Sequence, residues 1–221
     1  MRSITSSSSE SKSFASSLYR WMLRSAVAGT IGTTLGLILG GLLAALFLFD
    51  QPTSRAHVYL YSEDRVFRNM LLACALSGSP LGLAIGISIA YAWKRFIVAA
   101  GQHVETWMFF TITSTWVGVT CTFIGLGISD WYWAGLPLII LIVGMFSGIL
   151  IGLPQSFILW SSGRERLAWV ISHSIAVIIG TILIVISGAR DLIILVVLLG
   201  LIWAAYGGVM GMMFNKLRHG K

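Results

Sequence analysis

Residues 25–49 read SAVAGTIGTTLGLILGGLLAALFLF. The stretch holds no charge and no proline, and it sets Ala28, Gly32, Gly36, Gly40 and Ala44 at a strict period of four. A helix rises about 1.5 Å per residue, so ~20 apolar residues cross a hydrocarbon layer about 30 Å thick. This segment is long enough, and its sequence decides the fold class: a membrane-spanning α-helix with one small-residue face.

Five more runs of the same kind follow, at 69–93, 106–128, 134–160, 167–186 and 192–214. Only the fifth has an ionisable group near its middle, His173. The composition agrees: of 221 residues 57% are hydrophobic and 10% charged, against about 25% charged in a soluble domain. The expected fold is all-α, a polytopic bundle of six transmembrane helices spanning residues 19–221. The last two runs are separated only by 187–191, which predicts a tight antiparallel hairpin. Residues 1–18 hold nine serines and few large apolar side chains. Such a segment buries too little surface to fold, so it is expected to be a disordered, cytoplasmic tail. The long apolar run that follows, with no small-residue cleavage site, argues against a cleaved signal peptide.

The formal charge of +7 is explained by topology and gives no reason to invoke nucleic acid. Arg2, Lys12, Arg20, Arg24, Lys94, Arg95, Arg164, Arg166, Lys216, Arg218 and Lys221 fall on one side, and Arg55, Arg65, Arg68 and Arg190 on the other. Eleven against four places both termini in the cytoplasm. Trp21, Trp93, Trp107, Trp160 and Trp169 are expected to mark the inner interface, and Trp131, Tyr132 and Trp133 the outer one. The outer loop 50–66, with His57–Tyr61, is expected to lie on the headgroups.

The second run carries Gly78, Gly82 and Gly86 and ends near Trp93. The fourth carries Gly144, Gly148 and Gly152 and ends at Trp160. Each is followed by a helix opening near a tryptophan. This suggests hairpin repeats related by an axis along the membrane normal, with Gly200, Ala204 and Gly208 of the sixth run as a third copy. Lipid tails supply little force between helices, so close backbone approach at glycine holds such bundles together. Gly32, Gly36, Gly40, Gly78, Gly82, Gly86, Gly144, Gly148 and Gly152 are therefore the expected helix-packing residues, within the chain or against another subunit.

All eight acidic residues lie at or beyond the ends of the runs. That counts against an ion-coupled carrier with a midplane carboxylate and against an intramembrane aspartyl or HExxH protease. The main polar cluster is Gln155, Ser156, Arg164, Arg166 and His173, with Pro154 breaking one helix bond. Gln155 and His173 sit about 7–9 Å inside the cytoplasmic edge by helix rise. They are candidate ligand contacts or an interhelical staple, with Arg164 and Arg166 on lipid headgroups. A tetrapyrrole on His173 is a further option. His57, His103 and His219 are expected to be solvated. Thr111, Thr113, Ser114, Thr115, Thr120 and Thr122 of the third run can bond back to their own helix or line a polar conduit, and Trp116 and Trp203 read as midplane packing or lipid-facing bulk. Cys74 and Cys121 fit no metal spacing and read as small packing residues, with a disulfide between them the alternative.

The stretch Gly148, Gly152, Gln155, Leu159-Trp160, Arg164-Glu165-Arg166, Leu167-Ala168-Trp169 resembles uncharacterised glycine-rich multipass membrane proteins of bacteria, photosynthetic ones included. The resemblance implies a multipass fold in a bacterial inner membrane and no particular activity. Three roles follow for a protein whose first partner is the lipid bilayer. One is a non-catalytic accessory subunit of a membrane complex, packed against other membrane subunits. Another is a permease or substrate-binding subunit for a small or lipophilic molecule. The third is a membrane enzyme.

The charge count predicts that a fluorescent protein fused after Lys221 folds and fluoresces, whereas a phosphatase active only outside the cytoplasm stays inactive there. The opposite pair of results would overturn the orientation.

Overall fold

The computed structural model describes residues 5–48, 63–99, 103–132, 136–187 and 192–219. Among these it is entirely helical: α1 Thr5–Leu48, α2 Glu63–Ala99, α3 Val104–Tyr132, α4 Leu136–Leu159, α5 Gly163–Ser187 and α6 Leu192–His219. Five carry apolar stretches of 19 to 35 residues, long enough to cross a membrane. In α6 the described apolar stretch is Val197–Met213. The outer surface is apolar, with Leu35, Leu39, Leu42 and Leu46 exposed, Leu46 at 77%. The buried set includes Ser25, Thr33, Thr111, Ser147, Gln155 and His173. Polar side chains point inward and leucines outward, as lipid demands of a bundle. This is a multipass membrane protein.

The helices begin and end outside the apolar runs. The serine-rich segment, expected to be disordered, departs from that reading, because α1 is helical from Thr5. A helix already nucleated by its spanning portion adds one hydrogen bond per residue as it extends, so poor helix formers can follow. Trp131–Trp133 and His57–Tyr61 lie outside the residues whose side chains are described.

Each helix packs on the next, and α6 returns to α1, which closes a ring of six. Glycines set the register. A methyl group on Gly36 would lie 2.5 Å from Leu81 Cα, and one on Gly32 3.0 Å from Ile85 Cα. Gly40 meets the backbone of Ser77. On the α2–α3 seam Gly78, Gly82 and Gly86 face Thr120, Trp116 and Ile112. On the α4–α5 seam Gly144, Gly148 and Gly152 face Ile178, Ser174 and Val170. In every set one helix rises four residues while the other falls four, the signature of antiparallel neighbours meeting along i±4 rows. The α6–α1 seam follows the same rule with Gly207 on Ser25 and Gly211 on Trp21. The small residues facing α1 there are thus Gly207 and Gly211. Gly200 has only Thr30 Oγ1, at 3.7 Å, near it, and Gly208 only the side chain of Met22.

This pairing brings out a repeat that runs around the ring. α1, α3 and α5 each read Trp, then a polar residue four positions on, then Gly eleven positions on: Trp21–Ser25–Gly32, Trp107–Thr111–Gly118 and Trp169–His173–Gly180. The partners of the three are α6, α2 and α4. The third unit is therefore completed by the first helix of the chain.

The seam between α5 and α6 differs. The sequence predicted a tight hairpin, yet among the described residues this pair touches least of all neighbours in the ring. The short connection fixes the two helices near one end only; it supplies no small-residue stripe to bring their axes together.

Gly36→Leu and Gly148→Leu should each lower the folded yield and melting temperature in detergent, because backbone atoms of the facing helix cannot retreat. Gly41→Leu is the matched control, with nothing within 4 Å of the added group. Equal stability in all three variants would sink the packing role.

Candidate functional site

The tryptophans expected at the inner interface are instead interior. Trp21, Trp93, Trp107, Trp160 and Trp169 are all buried. Trp93 stacks on Trp107 at 6.2 Å and on Tyr206 at 5.5 Å, and meets Trp21 edge-on at 5.0 Å. Tyr206 meets His173 edge-on at 5.4 Å, His173 lies 5.0 Å from Trp169, and Trp169 lies 6.1 Å from Trp160. Every helix, or in α4 the residue just past its end, contributes at least one ring to this continuous cluster, and α5 contributes two. Interfacial and interior tryptophans have the same sequence signature, a Trp at a helix end, which is why the sequence misplaces them. Ring-to-ring contacts of this geometry contribute about 0.5–1.5 kcal/mol each beyond burial. Together the rings form an aromatic floor across one end of the ring.

Above the floor lies a cavity of about 170 Å³ with walls from all six helices. Its lining is mostly apolar: Leu81, Ile85 and Ile89 of α2, Ile151 of α4, Leu199 and Ile202 of α6. A few polar groups converge on it: Thr33, Thr111, Thr115, Gln155, His173, Trp203 and Tyr206. An apolar chamber with sparse, convergent polar groups is the usual form of a small-molecule site.

The two candidate contacts from the sequence, Gln155 and His173, both line this chamber, but they do not partner each other. His173 is 1% exposed. Its Nδ1 lies 3.0 Å from the Trp169 carbonyl, and its Nε2 lies 2.6 Å from the Tyr206 hydroxyl. A carbonyl only accepts, so Nδ1 carries the proton; neutral Nε2 then accepts from the Tyr206 O–H. Tyr206 was not legible as a site residue. It sits in the C-terminal half of its run with no polar neighbour, and only the return of α6 to the bundle brings it to α5. Both imidazole nitrogens are engaged and the chamber is far smaller than a macrocycle, so the residues present do not fit a tetrapyrrole.

Gln155 is 2% exposed and Thr111 is 1% exposed. Gln155 Oε1 and Thr111 Oγ1 have no hydrogen-bond partner, and neither do the indole nitrogens of Trp107 and Trp160 in the floor. An unpaired buried polar group costs about 1–3 kcal/mol. Several other interior polar groups are paired. Trp93 Nε1 donates to Ser25 Oγ at 2.8 Å, Trp203 Nε1 donates to Thr33 Oγ1 at 3.1 Å, and Thr122 Oγ1 and Ser147 Oγ are hydrogen-bonded to each other at 2.7 Å. Along α3, Thr113, Ser114, Thr120 and Thr122 bond back to carbonyls of their own helix. Gln155 Oε1 and Thr111 Oγ1 thus stand unpaired beside hydrogen-bonded groups of the same interior.

The remaining predicted residues lie apart from the chamber. Arg166 Nε donates to the Trp160 carbonyl at 2.7 Å, and its guanidinium sits 4.7 Å from the Phe157 ring centre, which ties the α4–α5 turn. Arg164 and His103 are exposed. Trp116 lies on the outer face, its Nε1 donating to Ser79 Oγ at 2.6 Å. Cys74 and Cys121 form no disulfide.

Tyr206→Phe removes the donor to buried Nε2 and keeps the ring. It should lower stability by about 1–3 kcal/mol, or several degrees in melting temperature for a chain of this size. An unchanged melting temperature in detergent would show that the bond contributes nothing. Comparison with family models, with curated proteins and with solved structures found no match for this chain.

Proposed function

We propose that the chain binds a small lipophilic molecule bearing a hydrogen-bond donor, and serves as a permease or substrate-binding subunit for it in a bacterial cell membrane. Gln155 Oε1 carries the reading: an acceptor, buried and unpaired, at the wall of an apolar chamber. The size of the chamber is close to the ~150 Å³ that accommodates a benzene-sized guest in an engineered cavity. A ligand of one or two rings, or a comparably short alkyl group, is the matching scale.

Polarity narrows the class further. For a molecule dissolved in lipid, apolar contact with the protein gains little, because the tails around it are as apolar as leucine. A hydroxyl in hydrocarbon has no partner, and that loss is large. Binding therefore selects for the donor: it satisfies the ligand and Gln155 together, with Thr111 alongside. The accessory-subunit reading draws no support from the glycine stripes, because all nine glycines face neighbouring helices of the same chain.

2-Naphthol and naphthalene form a matched probe pair, differing by one hydroxyl. Quenching of indole emission in reconstituted vesicles should report tighter binding of 2-naphthol by about 2- to 12-fold, the equivalent of one net hydrogen bond. Gln155→Leu should erase most of that difference while naphthalene binding persists. Equal affinity for both probes in the unaltered chain would overturn the reading.

A further inference from the structure

The three-unit repeat allows one seam to be compared with two others inside the same molecule. The glycine eleven residues after each tryptophan faces the next helix around the ring. A methyl group on Gly32 would lie 2.9 Å from the Ala84 carbonyl oxygen of α2. On Gly118 it would lie 2.5 Å from Ile151 Cγ1 of α4. On Gly180, the equivalent position of α5, the nearest atom is Ile202 Cγ2 of α6, at 4.0 Å. The same residue at the same step of the repeat is pressed against its neighbour twice and left open once.

Gly180 is partly exposed and lines the central chamber. Ile202, across the seam, is partly exposed and lines it as well. The seam is thus open at the point where both of its residues border the chamber. Towards the aromatic floor the seam is fastened by side chains, with Tyr206 on His173 and Ser172 Oγ 3.7 Å from Met213 Sδ. At Gly180 no polar contact crosses it among the described residues. The floor of buried rings borders the chamber at that end.

The geometry points to uptake from the side: the chamber fills from the hydrocarbon layer through the α5–α6 seam at Gly180 and Ile202, and its ligand is a membrane-dissolved molecule. This rests on the binding role proposed above and adds the route and the phase from which the ligand comes. A glycine suits such a portal because it leaves a slot in the wall without a side chain to displace. The His173–Tyr206 bond fastens the two helices on one side of the slot, and the short chain connection between them tethers the other, so the opening is confined to the stretch around Gly180.

A reversible lock tests the route. In a background with Cys74→Ala and Cys121→Ala, the pair Gly180→Cys and Ile202→Cys is closed with a short bifunctional thiol reagent and reopened with reductant. Exchange of 2-naphthol is followed in reconstituted vesicles by indole quenching, with protein-free vesicles as blank. In the reopened form exchange should match that of the cysteine-free parent; locking should slow it at least tenfold in both directions. Equal exchange in the locked and reopened forms would overturn the seam as the route while leaving the chamber as a binding site. Absence of binding in the reopened form and in the parent would overturn the binding role itself, and the route with it.

Discussion

Backbone-to-backbone contact at glycine is the constraint on which this bundle depends. Between helices in lipid there is no large gain from burying apolar side chains, so cohesion comes from close approach. Gly36 against Leu81, Gly82 against Trp116 and Gly148 against Ser174 bring the helix axes together, with the residue numbers running oppositely in steps of four. Those registers decide which faces turn inward. They also make the ring uneven, because the α5–α6 seam has no such stripe. A closed ring with one loose seam encloses a chamber, whereas six equally tight seams would tend to collapse it.

The interior follows a second rule. Polar side chains inside a membrane protein need partners, and most of those here find them within one turn of their own helix or on the facing one. Thr113, Thr120 and Thr122 bond back along α3, while Trp93 reaches Ser25 and Trp203 reaches Thr33. Against that background Gln155 Oε1 and Thr111 Oγ1 stand out as an unfilled demand for a donor. They line the same chamber as the His173–Tyr206 pair, whose wall also carries Thr33, Thr115, Thr122 and Thr181 among apolar side chains.

Some of this was legible from residues alone. The spans could be read from their apolar length, and the nine glycines from their period of four. Gln155 and His173 could be singled out because polar side chains are rare inside spans. The tryptophans were misread, since a ring at a helix end looks the same whether it faces headgroups or the neighbouring helix. The α5–α6 connection lies outside the described residues, and the looseness of the described part of that seam was not legible, because a short connection fixes proximity at one end and says nothing about the separation of the axes. The serine-rich segment was misread because composition does not register a helix propagating out of the membrane. Tyr206 carried no signal until α6 was placed.

The sequence by itself determined that this protein spans a membrane with six helices, and which residues of three helices form their small faces. Both are local properties, set by hydropathy along the chain and by side-chain size at helical spacing. Only the tertiary structure decided that α6 closes on α1, that the indoles gather into a floor, and that His173 pairs with Tyr206 and leaves Gln155 unpaired. It also decided that Gly32, Gly118 and Gly180, alike in sequence context, differ in what stands opposite them. Those outcomes depend on which helix faces which, a matter of packing around a closed ring that no single segment encodes.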